Sequence, residues 1–294
     1  MPLGDVSDDV AERLLAGYRK HLATRFPIVH SVWVEDLHRR RGSLSDPFER
    51  CVLHLVYAAS GRFIETTGEK GNFAFKDHFN SGISMLDVVF SDVGIRTVQV
   101  LMLMAIYCLR DAVGPGAWIC SRTAMLLAID CGLHRQTKNI AQRNFEGELR
   151  KRLFWTCYCF DRQISIPMGR PFGISDRDID LELPFDVDES LTEERFEVWR
   201  SSKVHIDRIS TLTSFIKIAE LRRIESEIQQ CIYRVDSTIP PEDSVIDGFL
   251  NSLSRWKEGI PAETHLFKDD GDTPYDGYDY YVSKAHQTCG RDHF

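Results

Sequence analysis

Apolar residues recur along this chain every three to four positions, and no segment sustains the period-two alternation that a half-buried strand needs. Val10, Leu14, Leu15, Tyr18 and Leu22 fall on one helical face. Residues 95–113 are apolar almost all round, the mark of a helix enclosed by others. The pattern predicts an all-α fold, a multi-helix bundle in one large domain. With 43% apolar residues, 11 Pro and 19 Gly in 294 positions, the chain can bury a sizeable core, and a disordered or collagen-like chain is excluded.

Local signals divide the chain further. The first helix has Asp8 or Asp9 available as N-cap and stops before Phe26-Pro27, because the residue ahead of a proline leaves the α region. A second helix carries 32–39. Asp46-Pro47 reads as an N-cap followed by proline at the first helical position, opening a helix to about Ile64. A loop follows over 66–72, and 73–90 reads as a weaker helix that Gly82 interrupts. Gly114-Pro115-Gly116 is a tight connection, and a helix over 117–131 ends with Gly132 in the left-handed position and Leu133 as its apolar contact. The next helix, 145–166, opens with Glu146 and Glu148, each four residues ahead of an arginine. Beyond Pro167 lies an irregular stretch, 169–173, then an acidic connection over 176–197. A long helix over 203–235 is broken by Pro240-Pro241, and a last helix spans 242–257. Residues 1–9 are expected to be a flexible leader, 10–261 the helical domain, and 262–294 a poorly ordered acidic and aromatic tail.

Charge and cysteine usage bound the partners and the compartment. The 36 basic and 44 acidic residues leave a net charge of −8, which argues against gripping nucleic acid by overall charge. The whole imbalance sits in 176–197, where ten acids face two bases, and that connection is expected to be a solvated loop. None of the eight cysteines is spaced as CxxC, and most lie in apolar helical stretches, as expected of free thiols in a reducing compartment. The polar, acidic first residues are no signal peptide. The longest apolar run, 100–109, is ten residues, too short to cross a bilayer.

Catalytic templates find no match. His54 on an apolar face reads as a core residue, and Cys157 and Cys159 point to different faces of one helix. Asp176, Asp178 and Asp180 imitate the start of a calcium loop, but Leu181 stands where that loop needs glycine and Val187 where it needs a bidentate glutamate. Tyr280 and Lys284 have the spacing of a short-chain dehydrogenase pair without its glycine-rich turn. No nucleophile, base and oxyanion set assembles, so no catalytic, cofactor-binding or metal-binding residue is assigned and the chain is read as a non-enzyme.

Two adjoining segments carry a specific signal. The first contains Gly116-Ala117-Trp118 and closes on Cys131-Gly132-Leu133-His134-Arg135. The second contains Arg150-Lys151-Arg152-Leu153-Phe154-Trp155, then Tyr158, Asp161-Arg162 and Met168-Gly169-Arg170-Pro171. Together they resemble the fungal-specific transcription factor domain, the middle homology region of regulators whose DNA-binding module is a six-cysteine binuclear zinc cluster. The resemblance extends from about Leu14 to Pro261. Departures include Ser121-Arg122-Thr123, where the family favours small residues, and Met125-Leu126, so that helix is expected to pack slightly differently.

The resemblance implies a nuclear, non-catalytic regulatory domain that controls RNA polymerase II transcription. It implies protein partners or a homologous regulator, no membrane, and the possibility of a small effector. The zinc cluster is absent from these residues, so DNA recognition is expected from a module outside them, and zinc would belong to that module alone. The alternative is a cluster-less protein that dimerises with or sequesters related regulators.

A physical role for the signature follows from the residues themselves. The helix over 145–166 is apolar round its circumference, so its charges need partners inside the fold. Trp118, Gly132, Leu133, His134, Arg152, Phe154, Trp155, Tyr158, Asp161, Arg162, Gly169, Arg170 and Pro171 are therefore expected to be architectural. Asp161 or Arg162 is expected to pair near Arg170 and lock the 169–171 turn to the bundle.

Overall fold

The computed structural model describes residues 1–69, 71–111, 116–137, 144–202, 209–233 and 242–261. Among them are eleven α-helices and no strand: α1 (Asp8–Tyr18), α2 (Ser31–Arg39), α3 (Pro47–Thr66), α4 (Phe75–Ile83), α5 (Leu86–Val89), α6 (Ile95–Cys108), α7 (Ala117–Asp130), α8 (Phe145–Ser165), α9 (Glu193–Ser201), α10 (Thr213–Ile232) and α11 (Asp243–Glu258). The expected connection at Gly114-Pro115, the Pro240-Pro241 break and the tail from 262 lie outside the described residues.

Three helices form the inside of the bundle. In α3 every residue from Cys51 to Gly61 is buried, in α6 every residue from Val100 to Cys108, and in α8 every residue from Lys151 to Arg162. Amphipathic helices cover them. α1 and α4 lie on α3, α7 bridges α6 and α8, and α10 packs on α8. A satellite cluster of Leu221, Trp256 and Ile260 joins α10 to α11, where the Trp256 indole donates to the Lys217 carbonyl at 2.8 Å.

Glycine sets the crossing of α1 on α3. A Cβ on Gly17 of α1 would stand 2.5 Å from Ile64 Cδ1 and 2.6 Å from Ser60 Oγ, and the Ser60 hydroxyl donates to the Leu14 carbonyl at 2.6 Å. Gly17→Val therefore overfills the α1–α3 contact and is expected to cost about 2 kcal/mol in urea unfolding. An unchanged unfolding midpoint would contradict the crossing.

The helical reading differs from the structure at five places, each for a local reason. Ser7, not Asp8 or Asp9, occupies the N-cap of α1, and the two aspartates fill the first turn, where they complement the helix dipole. That helix runs on as a π-turn over Arg19–Ala23. Gly82 sits inside α4, close under Leu55, and the break falls at Ser84-Met85 instead. α10 starts at Thr213, and of the helix expected from 203 the residues 203–208 lie outside the described ones: Asp186 accepts hydrogen bonds from the Ser210 and Thr213 hydroxyls, and these local bonds hold 210–212 out of the helix. The leader over 1–9 docks on the body, with Leu3 and Val6 buried and the Met1 amino group donating to Ser81 Oγ at 2.8 Å.

The largest correction concerns the acidic connection. It is not a solvated loop, because it wraps the bundle and contains α9, whose Phe196 is fully enclosed against Phe145, Phe185 and Trp199. Phe185, Val187, Leu191 and Phe196, spaced among the acids, signalled this in the sequence.

Candidate functional site

The signature residues converge on the seam between α8 and the segment running from Gly169 to Leu191. α8 starts cleanly because the Asn144 side chain caps it, accepting from the Gly147 N–H at 3.0 Å. Glu146 pairs with Arg150 at 2.6 Å on its exposed face.

At the first node Arg152, 1% exposed, donates to Glu148 Oε1 at 3.4 Å and to the Glu189 carbonyl at 3.2 Å. Glu148 Oε1 also accepts from the Phe185 N–H at 3.0 Å, and the Lys151 ammonium lies 3.7 Å from Glu148 Oε2. The Glu189 carboxylate accepts from the Ser31 N–H at 2.9 Å, joining α2 to the network. Burial raises both carboxyls above the usual range. Arg152 and Lys151 oppose that rise at Glu148, and Ser31 with Arg152 opposes it at Glu189. Next along the helix, the Trp155 indole donates to the Glu182 carbonyl at 2.8 Å, while Phe154 packs edge-on against it, fully buried.

The second node is built on Asp161 and Arg162, both within 1% of complete burial. Asp161 accepts from Arg122 of α7 at 3.0 Å, from the Arg162 guanidinium at 3.1 Å and from the Gly173 N–H at 2.9 Å. Arg162 donates to the Ile174 carbonyl at 2.7 Å and to Asp176 at 3.4 Å, and it stacks on Tyr158 and Phe172. Asp176 also accepts from the Tyr158 hydroxyl and, on α10, from Ser226 and Gln230. Burial pulls the Asp176 carboxyl up, but hydrogen bonds from Ser226 and Tyr158 and the Arg162 charge outweigh it and hold the group below its ordinary value. One carboxylate thus ties the connection to both α8 and α10.

Arg170 takes a different place from the one expected. It is exposed and stacks at 4.1 Å on the ring of Trp118, which Arg122 approaches from 5.6 Å. Besides its neighbour Arg162, Asp161 pairs with Arg122, one of the residues that depart from the family pattern. Its position four residues after Trp118, among apolar neighbours, was the available signal.

The glycines of the signature close helices. Gly132 has φ +68°, its N–H bonds to the Ile129 carbonyl at 2.9 Å, and the Leu133 N–H bonds to Ala128 at 2.9 Å. Gly169 repeats this at the end of α8 with φ +61°, its own N–H on Ile166 at 3.2 Å and the Arg170 N–H on Ser165 at 2.9 Å. Both are Schellman closures, in which glycine supplies a left-handed backbone. Pro171 follows on the exposed side of the turn. His134, beyond the α7 closure, is half-buried. Burial, with the Arg135 charge, lowers its affinity for a proton.

The geometry uses the signature's charges within the chain. Arg152, Asp161 and Arg162 neither line an open cleft nor form a nucleophile and base pair. Among the described residues no group of three or more His, Cys, Asp or Glu is placed to hold a metal ion, and no helix is long and apolar enough to cross a membrane. His54 is not solitary as the sequence implied: its Nδ1 lies 3.0 Å from Nδ1 of His78, and both rings are buried.

Comparison with known proteins places these features in a family. The family described as the fungal specific transcription factor domain matches residues 17–258. The pyrimidine pathway regulatory protein 1 of Saccharomyces cerevisiae is 28% identical over 63% of this chain and 21% of its own length. The positive regulator of purine utilization of Emericella nidulans is 28% identical over 76% of this chain and 26% of its own. Protein STB5 of Saccharomyces cerevisiae is 27% identical over 84% of this chain and 34% of its own. The matched part of the chain therefore spans about a third or less of the length of these relatives. No solved structure matches it. With the ordered double motif and the match over most of its length, the chain belongs to the fungal specific transcription factor domain family, a family of transcriptional regulators.

Proposed function

We propose that this domain is the non-catalytic regulatory part of a nuclear regulator of RNA polymerase II transcription, and that DNA is read by a zinc-cluster module outside these residues. One observation carries the reading: the basic clusters are neutralised by the chain's own acids. Arg39 and Arg40 pair with Asp36 at 3.5 and 2.8 Å, Arg40 also with Glu49 at 3.1 Å, and Arg41 with Asp8. In the second cluster Arg150 pairs with Glu146, Arg152 with Glu148, and Lys151 with Glu148 at 3.7 Å and Glu182 at 4.0 Å. Binding a phosphate backbone needs clustered cations free to displace its condensed counterions, and these are already paired.

The domain then works through protein contacts. Ile119 and Leu126, two turns apart on the outer face of α7, are 54% and 65% exposed and favour a protein partner. Leu191, Val198 and Trp199 line a shallow, open apolar depression beside α9 that adds to the surface offered to a partner. The test is a DNA titration of this chain alone at two salt concentrations, beside a fusion of the chain to a heterologous DNA-binding domain driving a reporter. The expected result is no site-specific binding by the chain and altered reporter output from the fusion. Salt-sensitive binding of one DNA sequence by the chain alone would overturn the assignment.

A further inference from the structure

The loop between α2 and α3 carries a side-chain pattern that neither the fold nor the charged seam uses. Arg40 and Arg41 stand three and two residues ahead of Ser43, and Leu44 follows it. Nowhere else in the sequence do two adjacent Lys or Arg residues stand at those positions before a serine or threonine. Ser165 and Ser226 also have an arginine three residues ahead, but both are fully buried inside α8 and α10. Ser43 is exposed, as are Gly42 and Ser45, while Leu44 is half-buried. The Ser43 N–H and hydroxyl both donate to the Arg40 carbonyl, at 2.8 and 3.1 Å, so its hydrogen bonds are those of a single local turn.

We propose that Ser43 is a phosphorylation site for a protein kinase that reads basic residues, and that its phosphate takes Arg41 from Asp8 and loosens the leader over 1–7. In such a kinase the two arginines meet carboxylates of the substrate cleft, and the apolar residue after the serine fills a pocket. The Ser43 hydroxyl oxygen attacks the γ-phosphorus of MgATP and the P–O bond to ADP breaks. The hydroxyl proton passes to the kinase's catalytic aspartate, leaving phosphoserine and ADP. The arginines are within reach. Arg39 and Arg40 side chains are 74% and 42% exposed, and their bonds to Asp36 and Glu49 are surface ion pairs that a kinase's own carboxylates exchange at little cost. Opening the turn also frees Arg41 and brings Leu44 off the core.

The loop and the leader touch at two points. Arg41 pairs with Asp8, the first residue of α1, and a Cβ on Gly4 would stand 3.5 Å from the Gly42 Cα. A phosphoserine carries about −1.5 to −2 charges at neutral pH and accepts paired hydrogen bonds from a guanidinium. Joined to the chain two residues from Arg41, it competes with Asp8 at a high effective concentration. The acids that keep an external phosphate backbone off these arginines do not exclude one fixed beside them. Asp8 keeps its place in the first turn of α1, where it complements the helix dipole, so the helix stays formed while 1–7 loosens.

The experiment incubates the purified chain with MgATP and the catalytic subunit of cAMP-dependent protein kinase, places the phosphate by peptide mass mapping, and compares hydrogen exchange before and after. Phosphate is expected on Ser43, with none on the buried Ser165 and Ser226. Ser43→Ala should abolish incorporation at this loop, and Arg40→Ala should slow it by at least about tenfold, the effect of one lost charge pair in the kinase cleft. Circular dichroism confirms that both variants fold, and the wild-type result stands independently of them. In the phosphorylated chain exchange over 1–7 should rise by up to about fivefold, the size of one lost surface ion pair, with α3 and α6 unchanged. A folded chain that takes no phosphate on Ser43, or takes it on Ser45 instead, would overturn the site. Unchanged exchange over 1–7 after phosphorylation would overturn the release of the leader.

Discussion

Asp161→Ala is expected to destabilise the domain by about 3–5 kcal/mol, the range for breaking a buried ion pair and leaving its partner unpaired. The aspartate takes three hydrogen bonds, from Arg122, Arg162 and the Gly173 N–H. Its removal leaves the fully buried Arg162 guanidinium with only the Ile174 carbonyl and Asp176. Asp161→Asn keeps acceptors for the backbone and one arginine, so it should cost less and provides a folded variant if alanine does not. Arg122→Met removes a partner that still reaches solvent, and about 1 kcal/mol is expected there. Urea unfolding of the three variants checks the order. Equal small losses for all three would mean that the buried charges are not held as described.

The second large effect is acid lability. His54 and His78 have proton affinities lowered to about 3 and about 4, chiefly by burial. The charge of His78 and then the N-terminal amino group and Arg50 add to this at His54, while at His78 the amino group adds and Asp77 opposes. The rings share one proton across the 3.0 Å contact, and His78 faces Tyr57 edge-on. Tyr57 in turn meets His38, which contacts the exposed Glu12, so the polar groups of α1 to α4 form one line running from the surface into the buried histidine pair.

In the unfolded chain both histidines titrate near pH 6.5. Their contribution to stability is present above that value and is lost as pH falls toward their folded values. By pH 5 the two together should remove about 4 kcal/mol, at 1.36 kcal/mol per pH unit for each ring over about 1.5 units. Glu148 and Glu189 act in the opposite sense. Raised by burial, they favour the folded state as pH falls through their folded values. The clean readout is therefore a difference. Between pH 7.5 and pH 5, wild type should lose about 4 kcal/mol more than the double variant His54→Asn, His78→Asn, in parallel urea titrations. Identical pH slopes would show that the pair is not buried as a neutral unit.

How far the sequence carried the description depends on which residues interact with close neighbours and which with distant ones. Helix period, the Asp46-Pro47 start, the Gly132-Leu133 closure and the i,i+4 pairs of α8 rest on contacts within a few positions, and all four stand in the structure. The need of α8's charges for internal partners was also legible, since a helix apolar on every side must be enclosed. The identity of the partners was not. Arg122 lies 39 positions from Asp161, and Ser226 lies 50 from Asp176. The acidic connection misled for the same reason. A carboxylate in a string of acids looks solvated until its partner is known, and Asp176 meets Arg162, and Glu189 the Ser31 N–H, only when the chain folds back. His78, 24 positions from His54, was missed likewise.

We propose that the family signature is architectural, a buried ionic seam that holds the segment 172–191 to the bundle so that the domain presents a fixed surface to protein partners. Hydrogen exchange of wild type and Asp161→Asn, followed peptide by peptide, tests this most directly. The account predicts faster exchange over 172–191 in the variant, with α3 and α6 protected as before and reporter output falling in step. Unchanged protection over 172–191 together with lost reporter output would contradict it, because Asp161 would then act at a binding site instead of holding the fold.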